Sequence, residues 1–341
     1  MRWRSVIAAA LGALSLKAVA EAGPGLERVI VGHLPTSSTA ALYVAVERGF
    51  FSRYGLQVEL VPFTSSIVAY PQMAIGRLDV YAGGVGVSLF NAIGQGIRLR
   101  IVADKNHELR GSAYKQVVVR RDLWEAGIVR SLRDLRGRRV ASLPLGSGMG
   151  FQTHVVLRSA GLGIGDVEYV ELGLGEITTA LANRAIDAAV VFEPVLSAVK
   201  VRGLGVPLAS VGDVYPGLQA GVITYSERFV RERRAVGERF MAGYLLGVEV
   251  YNDGIFGGDE AKRRWILEAI QRWVPGTSRE VLERVAWHGT RRDGRVNVQS
   301  LREEMEFYLR QGMLIRPVEV ETVVDHAFLE AGRQYLKGVR R

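Results

Sequence analysis

An internal repeat constrains the fold of this chain more than any other sequence feature. Two segments predict the same elements in the same order: a strand, a loop of small polar residues, a helix, a Gly-Leu pair, a second strand, a second helix, and a turn with Asp before a third strand. The interval from the Gly to the Asp is 24 residues in the first copy, Gly55 to Asp79, and 26 in the second, Gly161 to Asp187. The chain therefore uses one structural unit twice.

Each copy has the pattern of an α/β unit. Short apolar strands alternate with longer helices, which is typical of βαβ units on a parallel sheet. The predicted strands are 28–33 and 57–61 in the first copy, and 139–143 and 167–172 in the second. We therefore expect two sheets in two lobes. Open α/β sheets bind ligands beyond the carboxyl ends of their strands, so a cleft between the lobes is the expected site.

Two further strands predict a hinge between the lobes. Residues 114–120, with KQVVV at their centre, lie between the two copies, and residues 219–224 follow the second copy. One strand would cross to the second lobe and the other would return. From Ser226 onward apolar residues recur at intervals near 3.6, which predicts a helical C-terminal segment. The expected domains are 26–112 plus 221–337 for lobe 1 and 113–220 for lobe 2.

Two Ser/Thr-x-x-Glu patterns predict helix starts in the C-terminal segment. Thr277 precedes Glu280, and Ser300 precedes Glu303, with the spacing of a capping box. Gly312 has the residue type that commonly follows a helix C-terminus. We therefore expect helices to begin just after Thr277 and Ser300, and one to end before Gly312.

The N-terminus has the layout of a secretory signal peptide. Arg2 and Arg4 precede an apolar run at 6–16, and Ala18-Val19-Ala20 offers an A-x-A cleavage site. We expect residues 1–20 to be removed near Ala20 and the mature protein to be periplasmic. The apolar run is too short to span a bilayer, so no stable membrane insertion is expected.

Composition narrows the chemistry further. The chain has no cysteine, which removes thiolate chemistry, cysteine-bound metals and a lipid-modified cysteine at the cleavage site. The formal net charge of +9 is spread over the sequence rather than gathered in a basic stripe with aromatic residues. We therefore expect no nucleic-acid partner.

Small polar residues stand where the predicted strands lead into helices. Backbone N–H groups, hydroxyls and the positive end of a helix dipole at such positions suit an anionic group. Alternatively, these residues only cap their helices. The ligand-binding candidates in these loops are Thr36, Ser37, Ser38 and Thr39 after the first strand, Ser65 and Ser66 after the second, Gly84 after the third, and Gly146, Ser147 and Gly148 in the second copy.

Glu193 completes the set of ligand-binding candidates. It follows the last core strand of the second copy and precedes Pro194. In the cleft it would favour a solute with an amine or a basic ring nitrogen; alternatively, it caps the next helix or pairs with an Arg. Gly84 lies in a Gly-rich run that would allow either close approach to a ligand or a tight turn. Further rim candidates at strand ends are Phe63, Thr64, Tyr81, Asp104, Lys105 and Asn106.

Catalytic signatures are missing from the sequence. There is no P-loop, no complete G-x-G-x-x-G and no H-E-x-x-H. Ser147 lacks the Gly two positions earlier that a nucleophile elbow needs. No His pair has the i, i+4 spacing of a helical metal site. We therefore expect a binding protein rather than an enzyme, with no cofactor and no metal.

The stretch AVERGFFSRYGLQVEL at 45–60 resembles the opening signature of periplasmic solute-binding proteins, in their nitrate-, taurine- and sulfonate-binding (SsuA-like) branch and its relatives for thiamine-pyrimidine precursors. The resemblance continues in order to about residue 331. It implies an α/β, type II periplasmic-binding-protein fold, with two βαβ lobes, a two-strand hinge and a helical C-terminal segment.

The resemblance also implies a function and its partners. The protein would capture a small anionic or zwitterionic solute (sulfonate, taurine, nitrate or a pyrimidine precursor), close on it as a monomer, and deliver it to an ABC-transporter permease. The alternative is a cytoplasmic enzyme of the same fold that acts in thiamine-pyrimidine or menaquinone-precursor synthesis, since fold alone does not decide function.

Overall fold

A computed structural model describes residues 25–339 of the chain. The predicted signal peptide, residues 1–20, lies outside the described residues. The strands of the described chain are β1 (Glu27–His33), β2 (Leu56–Pro62), β3 (Val80–Gly84), β4 (Leu99–His107), β5 (Lys115–Arg120), β6 (Arg139–Ser142), β7 (Glu168–Glu171), β8 (Ala188–Phe192), β9 (Gly205–Ser210) and β10 (Gln219–Ser226).

Helices connect and cover these strands. They are α1 (Ala40–Glu47), α2 (Ser66–Ala74), α3 (Val87–Gly94), α4 (Arg121–Glu125), α5 (Gly148–Ser159), α6 (Leu174–Ala182), α7 (Val195–Val201), α8 (Val211–Val214), α9 (Glu227–Glu232), α10 (Arg234–Ile255), α11 (Glu260–Trp273), α12 (Arg279–Arg284), α13 (Val298–Arg310), α14 (Val320–Val323) and α15 (Ala327–Val339). Short 3-10 turns lie at Ser37–Thr39, Ser52–Tyr54, Leu132–Leu135 and Ile164–Asp166.

The strands form two five-stranded sheets with the same plan. The first has the order β2-β1-β3-β10-β4 and the second the order β7-β6-β8-β5-β9. In each sheet four strands run in one direction, and the fifth, β10 or β5, pairs antiparallel with both of its neighbours. The equal order confirms the repeat and the predicted α/β fold class.

The two antiparallel strands are the predicted hinge strands. β5 follows β4 of the first sheet but lies in the second sheet, and β10 follows β9 of the second sheet but lies in the first. The chain therefore passes between the sheets twice, after His107 and after Ser210.

Equivalent aspartates show the repeat at atomic detail. The Asp79 carboxylate accepts the N–H of Ile30 in β1 at 3.0 Å, and the Asp187 carboxylate accepts the N–H of Arg139 in β6 at 3.0 Å. In both copies an acid before the third strand satisfies a backbone donor of the first strand, where the parallel pairing begins.

The helical C-terminal segment covers the first sheet. Helices α10, α11 and α15 join α1 in one apolar core, with Phe240, Tyr244, Ile266 and Phe328 fully buried. α13 takes a different position, because it packs against both α3 beside the first sheet and α5 beside the second. It therefore bridges the two halves.

The structure corrects the two predicted helix starts. α12 is capped by Ser278, whose hydroxyl accepts the N–H of Val281 at 3.3 Å, one residue later than predicted. α13 is capped by Asn297, whose side-chain oxygen accepts the N–H of Ser300 at 3.2 Å. The Ser300 hydroxyl instead accepts the N–H of Gln219 in the hinge strand β10, a tertiary partner that local spacing does not show. Gly312 follows α13 with φ +68°, as predicted.

Candidate functional site

A cavity of about 910 Å³ lies between the two sheets. The strand-end residues that line it lie at or just after the ends of β1, β2, β3 and β4 in the first sheet and of β6 and β8 in the second, together with the hinge residues Tyr114 and Ala220. These are the carboxyl ends of the parallel strands, where ligands bind in open α/β sheets. The cavity therefore occupies the position that the sequence predicts for the cleft.

Most of the predicted ligand-binding residues line this cavity. Whether they contact a solute stays a prediction. The candidates in the lining are Thr36, Ser38, Ser65, Ser66, Gly84, Gly146, Ser147 and Gly148, and the rim candidates Thr64, Lys105 and Asn106 join them.

Ser37 and Thr39 lie outside the lining, although their neighbours are in it. Both belong to a 3-10 turn, which points successive side chains in different directions. Thr39 is buried, and its hydroxyl donates to the carbonyl oxygen of Leu34 at 3.2 Å. In contrast, the hydroxyls of Thr36 and Ser38 lie 2.8 Å apart at the cavity wall. The four-residue polar run thus divides between the site and the support of its own turn.

Glu193 also lies outside the lining, so the structure does not support it as a solute contact. Its Oε2 accepts the N–H of Ser197 at 3.0 Å, and its Oε1 accepts the hydroxyl of the same residue at 3.0 Å. This is the helix-capping alternative, because the carboxylate satisfies a free donor in the first turn of α7. The preceding residue, Phe192, lines the cavity instead.

Lys105 supplies the positive charge of the cavity. It lies in β4 with only 3% of its surface exposed, and its ammonium donates to the Ser38 hydroxyl at 3.1 Å. Burial lowers the pKa of Lys105 to about 8, against the opposing effect of Asp104. The group therefore stays mostly protonated at neutral pH.

The carboxylate of Asp104, next to Lys105 in the chain, is hydrogen-bonded to other residues. Asp104 accepts the amide of Gln219 at 2.6 Å, the N–H of Arg291 at 2.7 Å and the Nδ1 of His107 at 3.0 Å. Asp104 itself does not line the cavity, and among the described residues that do, none is Asp or Glu. The charge of Lys105 thus faces a space without an acidic side chain.

A second lysine lines the cavity but is already paired. The Lys115 ammonium donates to Glu108 Oε1 at 2.5 Å and also to the side-chain oxygen of Gln152. Lys115 and Glu108 are both buried. This pair is close to neutral, which leaves Lys105 as the main source of positive potential.

Two buried histidines near Lys105 add no charge. Burial, assisted by the charge of Lys105, lowers the pKa of His33 and of His288 to about 4. Both rings are therefore neutral at pH 7.

Much of the remaining lining is apolar. A solute at Lys105 would extend along side chains from both sheets, namely Leu34, Ile67, Val85, Val87, Ile97, Leu143, Met149 and Phe192. The site thus combines one cationic end with hydroxyl donors and a large hydrophobic wall, a combination typical of small-molecule pockets.

The two Gly-rich loops contact each other across the cleft. The Val87 N–H donates to the Gly146 carbonyl oxygen at 3.0 Å, and Gly86 pairs with Ser147 in an isolated β-bridge. A Cβ at Gly148 would lie 2.7 Å from the carbonyl oxygen of Val85. The glycines at these positions therefore permit close approach of the two loops. The sequence predicts that such glycines allow close approach to a ligand or a tight turn, and it does not predict this contact between the loops.

Sequence reasoning missed Lys115, Tyr114 and Gln152 as lining residues. One signal was present: Lys115 opens the otherwise apolar strand KQVVV, and a charged residue at the start of a buried strand needs a partner. Its partner Glu108 comes from the crossing between the sheets, which only the fold brings near.

Within residues 25–339, no group of three or more His, Asp or Glu is placed to hold a metal ion. In the same part of the chain, no helix is both long enough and apolar enough to cross a membrane.

Two sheets joined by two hinge strands, with a cavity at their facing strand ends, define the class as the type II periplasmic-binding-protein fold. The chain belongs to the NMT1-like family, whose family model matches residues 22–246. A Brucella abortus protein named for an inferred binding function is 26% identical over 241 residues, which are 70% of this chain and 69% of that protein. The nitrate import ATP-binding protein NrtC of Synechocystis is 29% identical over 290 residues, 80% of this chain but 42% of its own length.

Solved structures share the fold at low sequence identity. The aliphatic sulphonate-binding protein SsuA of Escherichia coli has a TM-score of 0.69 and 16% identity, over 88% of this chain and 92% of its own. The periplasmic nitrate-binding protein NrtA of Synechocystis has a TM-score of 0.64 and 14% identity, over 92% and 89%. The desulfurization enzyme DszB has a TM-score of 0.62 and 17% identity, over 91% and 99%. The fold is therefore shared by binding proteins and by at least one enzyme.

Proposed function

We propose that this protein is the extracytoplasmic substrate-binding component of an ABC importer and captures an organic anion by closure of its two lobes. The observation that carries the proposal is Lys105, a buried ammonium that faces a cavity lined by no acidic side chain among the described residues. The family and the sulfonate- and nitrate-binding relatives of the same fold support a solute-binding role.

The charge of the site favours an anion over a zwitterion. The case for a cationic group on the solute rested on Glu193, and that carboxylate is bound to Ser197 outside the cavity. A fully desolvated anion near Lys105 would gain charge-assisted hydrogen bonds from the ammonium and from the Thr36 and Ser38 hydroxyls. An amine on the solute would find no carboxylate partner in the described lining.

The size of the cavity favours a solute with an apolar body. A volume of about 910 Å³ lies near the upper end of the ~300–1,000 Å³ typical of small-molecule sites. Nitrate and taurine would leave most of the hydrophobic wall uncovered. Sulfonates with an aliphatic or aromatic body fit both the charge and the wall, and a pyrimidine precursor would need an anionic group to do so.

Closure supplies the mechanism. The solute would contact residues of both sheets only when the lobes are together, so binding shifts the equilibrium towards the closed form. We propose that residues 26–112 and 221–337 form lobe 1 and that residues 113–220 form lobe 2. The signal peptide at 1–20 would direct export, and the mature protein would act as a monomer that delivers its solute to an ABC permease. Related import components among the similar proteins support this assignment.

The enzyme alternative has one supporting observation, the shared fold of DszB. This chain contains no cysteine, so no thiol is available for catalysis at any position. This excludes catalysis by a thiol, and the binding proteins of the same fold support the binding function that we propose. Chemical conversion of a candidate solute by the purified protein would contradict this proposal.

The test begins with mass spectrometry of the small molecules that co-purify with the mature protein. Isothermal titration calorimetry against alkane- and arenesulfonates, aromatic carboxylates, taurine and nitrate then ranks the solute classes. We expect bulky sulfonates or carboxylates to bind at least tenfold more tightly than taurine and nitrate. Preference for taurine or nitrate would contradict the solute class, and absence of binding across the panel would contradict the function itself.

A further inference from the structure

A hydrogen-bonded contact joins α13, a helix of the C-terminal segment, to the loop before α5. The Tyr308 hydroxyl lies 2.7 Å from the carbonyl oxygen of Ser147 and 2.8 Å from Glu304 Oε1. Glu304 and Tyr308 are one turn apart on α13, whereas Ser147 follows β6 of the second sheet. The contact therefore crosses the cleft, next to the bond between the Val87 N–H and the Gly146 carbonyl oxygen.

The number of hydrogens in this contact decides its strength. The Tyr308 hydroxyl has one hydrogen, the Ser147 carbonyl can only accept, and an ionised carboxylate can only accept. If Glu304 carries a proton, it donates to the Tyr308 oxygen and Tyr308 donates to Ser147, so both contacts are hydrogen bonds. If Glu304 is ionised, one of the two short contacts brings oxygens together without a hydrogen.

The surroundings of Glu304 favour the protonated form. Glu304 is 1% exposed, and its Oε2 has no hydrogen-bond partner among the described residues. An uncharged carbonyl oxygen without a partner is far less costly to bury than half of an ionised carboxylate. Burial raises the pKa of Glu304 to about 8, with Tyr308 and Lys115 acting in the opposite direction.

The charged groups around Glu304 do not reverse this balance. Lys115 of β5 faces it, but that ammonium is bound to Glu108 and Gln152. His154 of α5 stacks on Phe307 beside it, and burial lowers the pKa of His154 to about 4, so this ring is neutral. α3, which also packs on α13, has no titratable side chain. Tyr169 of β7 contributes to the raised pKa of Tyr308, which lies well above its usual range, and it does not affect the pKa of Glu304.

We propose that Glu304 is a positioning residue which holds the Ser147 loop against α13 only while its carboxyl is protonated, so that closure of the two lobes takes up a proton. The device consists of Glu304, Tyr308 and the Ser147 carbonyl, and we call it the proton latch. It does not depend on the identity of the solute, so its failure and the failure of the proposed function are distinguishable.

The direction of the pH effect follows from the two forms. A Cβ at Gly148 would lie 3.7 Å from Glu304 Oε1, so the start of α5 covers this carboxyl in the closed form. Opening admits water, and the pKa of Glu304 falls towards its ordinary value of 4.5. The ratio of closed to open protein is therefore highest at low pH. It falls by at most about tenfold per pH unit as the pH rises, and it stays constant above about pH 8.

The test measures closure in the solute-free protein. Because the chain has no cysteine, spin labels on Ile75→Cys and Ile128→Cys report one distance between the lobes; both side chains are exposed and lie outside the cavity lining. Double electron–electron resonance from pH 5.5 to 9 gives the ratio of closed to open distances. Glu304→Gln keeps a donor for Tyr308, and Glu306→Gln, a partly exposed position on the same helix, is the matched control.

We expect the closed fraction of the labelled wild type and of Glu306→Gln to fall as the pH rises to about 8 and then to level off, since this is where the buried carboxyl finishes its titration. Glu304→Gln should stay closed with no such slope. Tyr308→Phe removes the hydrogen that reaches Ser147 and should lower the closed-to-open ratio at pH 6 about fivefold. This variant carries the test if Glu304→Gln does not fold by circular dichroism.

Three results would overturn the proton latch. The first is a wild-type distance ratio that does not change with pH. The second is a Glu304→Gln protein with the same pH slope as the wild type. The third is a Tyr308→Phe protein as closed at pH 6 as the wild type.

Discussion

Lys105 is the residue that we propose selects the solute, because its charge is buried and the described lining offers no acid to oppose it. Its neighbour Asp104 in the same strand is equally buried but is bound to Gln219, Arg291 and His107. Alternation along a strand sends adjacent side chains to opposite faces, which separates the two charges. Lys105 thus faces the cavity, whereas Asp104 is bound to Gln219 of the hinge strand β10.

Lys105→Gln should weaken binding of the preferred anion by about 100-fold, since a desolvated charge would lose its partner. Thermal stability should change little, because the substitution also removes a buried charge. Calorimetry with the panel solute measures the effect. Lys200→Gln, at an exposed position of α7, is the control and should bind as the wild type does. Equal affinities for the two variants would rule out Lys105 as the anion contact.

Glu193 offers a second test at the residue scale, because binding and capping predict different losses. Glu193→Gln keeps the size of the side chain but weakens its bonds to the Ser197 N–H and hydroxyl. The free energy of unfolding should fall by about 1 kcal/mol, and solute affinity should stay within twofold. Chemical denaturation and calorimetry measure the two quantities. A tenfold loss of affinity with unchanged stability would restore Glu193 to the site.

At the scale of elements, local signals predicted strands better than helix caps. The strand predicted at 57–61 is observed as Leu56–Pro62, and the hinge strand predicted at 219–224 as Gln219–Ser226. β10 is buried along most of its length, and β2 alternates apolar and polar residues as an edge strand does. The cap predicted at Ser300 failed because its hydroxyl accepts from Gln219, far away in the sequence, while Asn297 takes the cap. Hydrogen-bonding side chains choose among partners that only the fold assembles.

The loop at the start of α5 contacts the loop at Gly86 of the other half, and a glycine substitution tests its proposed role in closure. Gly148→Ala would place a Cβ 2.7 Å from the Val85 carbonyl oxygen in the other half of the molecule. We expect about tenfold weaker solute binding and a larger radius of gyration with solute by small-angle X-ray scattering. Gly175→Ala in α6 has open space around the new methyl group and should leave both unchanged. A Gly148→Ala protein that closes normally would show that closure does not need the close contact between the two loops.

At the scale of the whole molecule, one unit used twice places two sets of strand ends face to face. The exchanged strands β5 and β10 give each sheet an antiparallel neighbour from across the hinge. Because α13 packs on both α3 and α5, the C-terminal segment completes the first lobe and also touches the second. In the proposed opening of the lobes, α13 would therefore lose its contact with α5.

The sequence by itself determined the repeat, the strand and helix order, the hinge strands and the loops that line the cavity. It could do so because periodicity and apolar runs are local properties that burial enforces. Only the tertiary structure decided which polar side chains face the cavity: Ser38 does and Thr39 does not, Lys105 does and Glu193 does not. It also brought Glu304, Tyr308 and the Ser147 carbonyl oxygen within hydrogen-bond distance across the cleft. Such choices depend on distant partners and on desolvation, which no local pattern records.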